Sequence, residues 1–168
     1  MTYTRRSLQQ MQSKAVAGKK ATREFVRRLN RIPVRKLDSM MLIQHDREFQ
    51  KINCLECANC CKTISPGMHE SDIRRMAEAL KMKSSVFFEN YLLLDDEGEY
   101  VFRQTPCPFL TVDNYCTIYE YRPKACREYP HTNRKRFYQI LDRAERNMKV
   151  CPAVFNIFEN LRDGHRDI

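Results

Sequence analysis

The stretch NCLECANCCKTIS, residues 53–65, packs four of the eight cysteines of this 168-residue chain into eight positions: Cys54, Cys57, Cys60 and Cys61. Two cysteines separated by two residues can turn both sulfurs toward one ion, because the intervening backbone wraps it as a chelate loop. The spacing occurs twice, for Cys54 with Cys57 and for Cys57 with Cys60. Cys61 follows Cys60 directly, so its side chain is expected to point away from its neighbour's. The two are therefore assigned to different centres, or one of them to a supporting or redox role. A disulfide between such neighbours is strained.

The other four thiols, Cys107, Cys116, Cys126 and Cys151, complete an arithmetic of eight sulfurs in two sets of four. Four is the number that closes a structural zinc site or holds a four-iron cluster. The opening C-x2-C-x2-C resembles the start of a bacterial ferredoxin motif, but the fourth cysteine comes too early for one. Cys107-Pro108 and Cys151-Pro152 echo its Cys-Pro ending, and zinc and iron both stay open. Four thiolates around a zinc ion leave about two negative charges to be matched. Lys62, Arg122, Lys124 and Arg127 all stand within four residues of a cysteine. With eight thiols present, His69 and His131 are not needed as ligands. In YEYRP, Glu120 and Arg122 are read as a buried ion pair bracing the loop, in preference to groups facing a substrate.

The first residues are basic without the apolar stretch of a secretory signal, and no run approaches the roughly 18 apolar residues of a membrane span. A cytoplasmic protein without membrane attachment is expected. There cysteines stay reduced, so a thiol cluster reads as metal-binding or redox before it reads as disulfides. Charge is uneven: residues 1–50 hold 12 Lys and Arg against 4 Asp and Glu, whereas residues 51–168 hold 18 against 17. The excess marks residues 1–32 as a basic helical arm able to meet nucleic acid.

Apolar spacing places helices over Val34 to Ile52, from Ser71 or Glu70 to Leu80, over Ser85 to Tyr91, and in two C-terminal stretches that meet at Cys151-Pro152. His45 falls on the first of these as a hydrogen-bonded, partly buried side chain. LLLDDEGEYVF reads as a hairpin turning at Asp95 to Gly98. Pro123 suits the first turn of a brief helix carrying Cys126. The fold class is mainly α with a small β-hairpin, an irregular α+β arrangement organised around a cysteine-bound metal centre. Residues 1–32 form the arm, 33–161 a single metal-binding domain, and 162–168 a tail. Four glycines leave no Gly-rich loop for a phosphate or nucleotide,.

CLECANCC followed by PCPFL, CTIYEYRPKACREYP and Cys151 resembles the CxxCxxCC, or YkgJ-type, family of zinc- or iron-chelating domains. The resemblance implies metal chelation by Cys54, Cys57, Cys60, Cys61, Cys107, Cys116, Cys126 and Cys151, and it supplies no reaction. The leading expectation is a metal-binding protein with a structural, redox or maturation-related role, holding zinc, iron or an iron-sulfur cluster. The first alternative is an iron-sulfur-dependent protein-modifying enzyme, although no nucleotide or methyl-donor motif is seen and catalysis is disfavoured. The second is an RNA- or ribosome-associated factor using the basic arm. The protein partner is not named by any motif.

Overall fold

A computed structural model describes residues 3–164. In chain order it contains α1 (Arg5–Ala17), α2 (Lys19–Leu29), α3 (Val34–Phe49), α4 (Cys54–Cys57), α5 (Asn59–Thr63), α6 (Glu70–Ala79) and α7 (Ser84–Tyr91). Then follow strands β1 (Leu92–Leu94) and β2 (Tyr100–Phe102), and helices α8 (Lys124–Glu128), α9 (Leu141–Asn147) and α10 (Pro152–Gly164). Tyr119–Tyr121 and Phe137–Ile140 are single 3-10 turns. The protein is thus mainly α with one small β-hairpin. Residues 1–2 of the expected arm and residues 165–168 of the expected tail lie outside the described residues.

The chain divides into two compact units, one made of residues 1–57 with 130–168 and the other of residues 58–129. In the first unit Thr4 opens α1 by accepting the Ser7 N–H on its hydroxyl at 3.2 Å, which satisfies a donor the helix itself cannot. Gly18 ends α1 by donating to Lys14 O at 2.8 Å and starts α2 by accepting from Thr22 N at 2.9 Å. Helix α2 buries Thr22, Phe25, Val26 and Leu29 on one side. Of these, Phe25, Val26 and Leu29 belong to a continuous core with Leu37, Met41, Phe137, Leu141, Val154, Ile157, Phe158 and Leu161. Phe25 and Phe158 meet edge to face, ring centroids 6.4 Å apart, the arrangement aromatic quadrupoles favour. Residues 19–29 are therefore packed more firmly than their sparse apolar content suggests.

Several buried polar groups of this unit are paired. The Asp38 carboxylate accepts the backbone N–H groups of Arg136 and Phe137 at 2.8 and 2.9 Å. Glu48, 3% exposed, accepts from the side-chain amides of Asn156 at 2.9 Å and Asn160 at 3.1 Å. His45 Nδ1 stands 2.7 Å from Thr132 Oγ1, as the sequence reading of a hydrogen-bonded, half-buried histidine requires.

The second unit has a smaller core of Met68, Ile73, Met76, Ala77, Phe87, Leu92, Phe102, Phe109 and Ile118. β1 and β2 pair antiparallel, with Leu92 opposite Phe102 and Leu94 opposite Tyr100. Asp95 shapes their turn, its Oδ1 accepting from Glu97 N at 3.0 Å and Glu99 N at 2.8 Å. Gly98 supplies the positive φ of +76° that the turn requires,. From Arg103 to Tyr129 the chain is mostly irregular, with one 3-10 turn and the five residues of α8. Phe109 and Ile118 are the residues it contributes to the hydrophobic cluster.

Candidate metal centre

The eight thiols fall into two groups that follow the two units. Cys54, Cys57 and Cys151 belong to the first, and Cys60, Cys61, Cys107, Cys116 and Cys126 to the second. In the second unit the cysteine-bearing segments are drawn together by backbone as well as by side chains. Cys107 N donates to Cys61 O at 2.8 Å. A β-bridge between Leu110 and Cys116 folds the next segment back on itself. Pro123 sits just ahead of α8, its φ of −55° already suited to a helix start, and the helix carries Cys126,.

Cys60 and Cys61 do not splay apart as the sequence suggests, because their sulfurs stand 3.9 Å from each other. Both lie in α5, where successive side chains differ by about 100° in direction and not by the half turn of a strand. A side-chain hydrogen bond from Cys60 is the largest influence on the Cys61 thiol. Against the opposing effect of burial, and with the charges of Arg122 and Lys62, it brings that thiol down to about 7. Its neighbours move the other way. Burial pushes Cys107 up to about 11, Cys126 up to about 12 and Cys116 in the same direction, and the charge of Cys61 adds to each. Thiols whose ionisation is opposed first by burial and then by a neighbouring thiolate are ones a cation would relieve.

Two further features of this unit favour thiolate. The backbone N–H groups of Phe109 and Ile118 reach the sulfurs of Cys107 and Cys116 and lower their thiol values against burial. The Arg122 guanidinium exerts its charge on Cys61, Cys116 and Cys126. It is fixed in place by stacking 3.4 Å above the centroid of the Tyr119 ring and by donating from Nε to Tyr119 O at 2.7 Å.

The brace on this loop differs from the one read in the sequence. Glu120 is exposed and, among the described residues, makes no ion pair with Arg122. The carboxylate that holds the loop is Asp72 on α6, 2% exposed. It accepts from Arg75 Nη2 at 2.6 Å and from Lys124 N at 3.1 Å, while Arg75 Nη2 and Arg127 Nη1 both donate to Arg122 O, at 2.9 and 3.1 Å. Burial pushes the Asp72 carboxyl up, but these donors and the N–H of His69 outweigh it and hold the acid below its ordinary value. Of the four bases singled out by sequence, Arg122 and Arg127 thus act in or around the thiol loop and Lys62 acts on Cys61. The Lys124 ammonium faces Glu128 at 3.7 Å on the surface. His69 contributes its backbone N–H to Asp72 at 3.3 Å.

In the first unit, Cys151 immediately precedes α10, and the N–H groups of Val154 and Ala153 in the first helical turn reach its sulfur. Burial nevertheless pushes this thiol up to about 12, with further increments from Cys54 and Cys57. Tyr3, which belongs to no motif, lies close enough that Cys57, Cys151 and Glu48 all act on its phenol. Burial pushes that phenol up, against a hydrogen bond from Asn156 Nδ2 at 3.3 Å.

The donor chemistry fits zinc or iron: softly polarisable sulfurs, N–H groups directed at them, and a fixed cation beside them. As the side chains stand, no three Cys, His, Asp or Glu among the described residues surround one point at coordinating distance. Closing several sulfurs on one ion requires them to draw together from these positions.

The family model of the CxxCxxCC proteins, described as a "putative zinc- or iron-chelating domain", matches residues 53–151. That span is more than half of the chain and takes in seven cysteines from Cys54 to Cys126 together with Cys151 at its edge. The chain belongs to the CxxCxxCC family. No curated protein and no solved structure matches it. No helix among the described residues is long and apolar enough to cross a membrane.

Proposed function

We propose that this protein holds zinc or iron through its cysteines, with Cys61, Cys107, Cys116 and Cys126 as one ligand set in the second unit and Cys54, Cys57 and Cys151 serving in the first. The observation that carries the reading is a group of thiols close enough that the charge of Cys61 acts on Cys107, Cys116 and Cys126, set beside an arginine stacked on Tyr119 whose charge acts on Cys61, Cys116 and Cys126. A dry cluster of thiols has no structural use for such a cation, whereas a cluster of thiolates does.

The role that follows is structural. Residues 103–129 contribute two side chains to the apolar cluster and little regular structure. Their ordering entropy, about 1–2 kcal/mol per residue, exceeds what that burial returns. Sulfur-metal bonds from three points along the segment would offset the difference. Inside the unit the chain's own residues then do three things: Cys sulfurs bind, the Phe109 and Ile118 N–H groups orient two of them, and Arg122 balances charge.

Elemental analysis with acid-labile sulfide, on protein purified without oxygen, tests the proposal. Zinc or iron in stoichiometric amount is the expected result, colourless with zinc and brown with iron and matched sulfide. A folded protein with neither metal and with its thiols paired by oxidation overturns it.

A further inference from the structure

Charge divides unequally between the two units. The first unit carries 21 Lys and Arg against 10 Asp and Glu, the second 9 against 11, so the net +9 of the chain is +11 in one unit and −2 in the other. Within the first unit, Lys19, Lys20, Arg23 and Arg27 are exposed on α2. At about 100° per residue they span an arc of about 100°, and Lys19, Arg23 and Arg27 repeat at steps of about 6 Å along the axis. The opposite side of the same helix is buried in the core.

Helix α9 packs beside α2, and the Arg23–Glu145 ion pair at 3.5 Å pins the two together. This brings exposed Arg143 and Arg146, distant in sequence by more than a hundred residues, to the same region. Lys20, Arg27, Arg143 and Arg146 form no ion pair with a described acidic side chain. Cations so arranged repel one another unless an external anion offsets them.

We propose that the exposed faces of α2 and α9 form a binding surface for the phosphodiester backbone of a nucleic acid. Three arguments select that partner. Helices that lie on membranes insert their apolar face, and the apolar face of α2 is already covered by Phe158 and the rest of the core. Three of the four unpaired cations are arginines, whose planar guanidinium matches phosphate oxygens two at a time. The positive row is linear and regular, as is the charge along a polynucleotide. No exposed aromatic residue lies on α2 or α9, so contacts are to phosphate and binding is independent of base sequence. No cysteine lies on α2 or α9, and failure of this surface would leave the metal reading untouched.

The test titrates full-length, metal-loaded protein against a fluorescent 20-nucleotide RNA of mixed sequence between 50 and 200 mM salt. Affinity should fall steeply with salt. The variant Lys20→Gln/Arg27→Gln/Arg143→Gln/Arg146→Gln should lower the log-log salt slope by about 3, at about 0.7 for each lost contact to a single strand. A control with the same charge change in the second unit, Arg74→Gln/Lys81→Gln/Lys83→Gln/Arg103→Gln, should keep the parental slope. Equal losses in both variants, a slope near zero, or no binding at 50 mM salt overturns the proposal. So does equal or tighter binding to polyglutamate or to phosphatidylserine vesicles, which would assign the face to an acidic protein or a membrane. If the quadruple variant melts early, the pair Lys20→Gln/Arg27→Gln should show half the slope change.

Discussion

The first unit is built on the larger apolar core, and the second carries the smaller core and more of the cysteines. Fifteen buried side chains from five helices and a 3-10 turn make one apolar cluster in residues 1–57 and 130–168, with Phe25, Leu29, Leu37, Met41, Phe137, Val154, Ile157, Phe158 and Leu161 nearly or fully inaccessible. The second unit has nine such residues, drawn mainly from α6, α7 and the hairpin. Five of the eight cysteines stand where the core is thinnest. A chain segment that cannot gain enough from removing apolar surface from water must gain it from directed bonds.

Removing the metal should separate the two units most clearly. Hydrogen exchange on metal-loaded protein, before and after chelation under reducing conditions, should show amides of residues 103–129 falling to near-unprotected rates. Those of α2, α3 and α10 should keep their protection. Structural zinc contributes apparent binding energies on the order of 10 kcal/mol in small domains, more than a core of nine residues replaces. Undiminished protection across residues 103–129 would break the contrast between the units and with it the structural role for the metal.

The converse change is Phe158→Ala. Its ring is 1% exposed and faces Phe25 edge to face, so truncation leaves a cavity in the first unit and should cost about 3–5 kcal/mol. Protection in α2 and α10 should drop by a corresponding factor, while metal content and the absorption of the thiolate-metal bonds stay at parental values. Loss of metal in step with stability would show that the first unit's core also sets the second unit's sulfurs.

Local signals in the sequence read these elements well, and distant pairings account for the rest. Ile73, Met76, Ala77 and Leu80 state the period of α6, and the Asp95–Gly98 turn states the hairpin, because each is decided within a dozen residues,. Asp72 is different. It lies on that same legible helix, but its use is fixed by Lys124, 52 positions away, through a backbone N–H that no side-chain pattern records. Glu120 was the acid nearest to Arg122 in sequence, and proximity along the chain is a poor guide where a loop folds back on a helix. The eight cysteines were readable as one family pattern by resemblance and spacing. Their grouping was not, since it depends on where the chain passes from one unit to the other, between Cys57 and Ala58.

Acid should also divide the units, more gently. In the second, thiolates that hold a metal would take up protons and release it. In the first the sensitive group is His45, whose ring lies 4.4 Å from that of Phe49 and whose Nδ1 meets the Thr132 hydroxyl. Burial makes its charged form costly and pulls it below 6.5, against the opposing charge of Asp46. The unfolded chain therefore protonates first as pH falls. The contribution of neutral His45 is complete above 6.5, declines as pH drops from there, and is gone once pH has fallen through the lower folded value. In metal-stripped, reduced protein, α10 protection should be greater at pH 7.5 than at pH 5.5 by less than about 1 kcal/mol, a half-buried imidazole being well screened. His45→Gln should remove most of that difference. If the variant retains the full acid sensitivity, the titrating group lies elsewhere in the first unit.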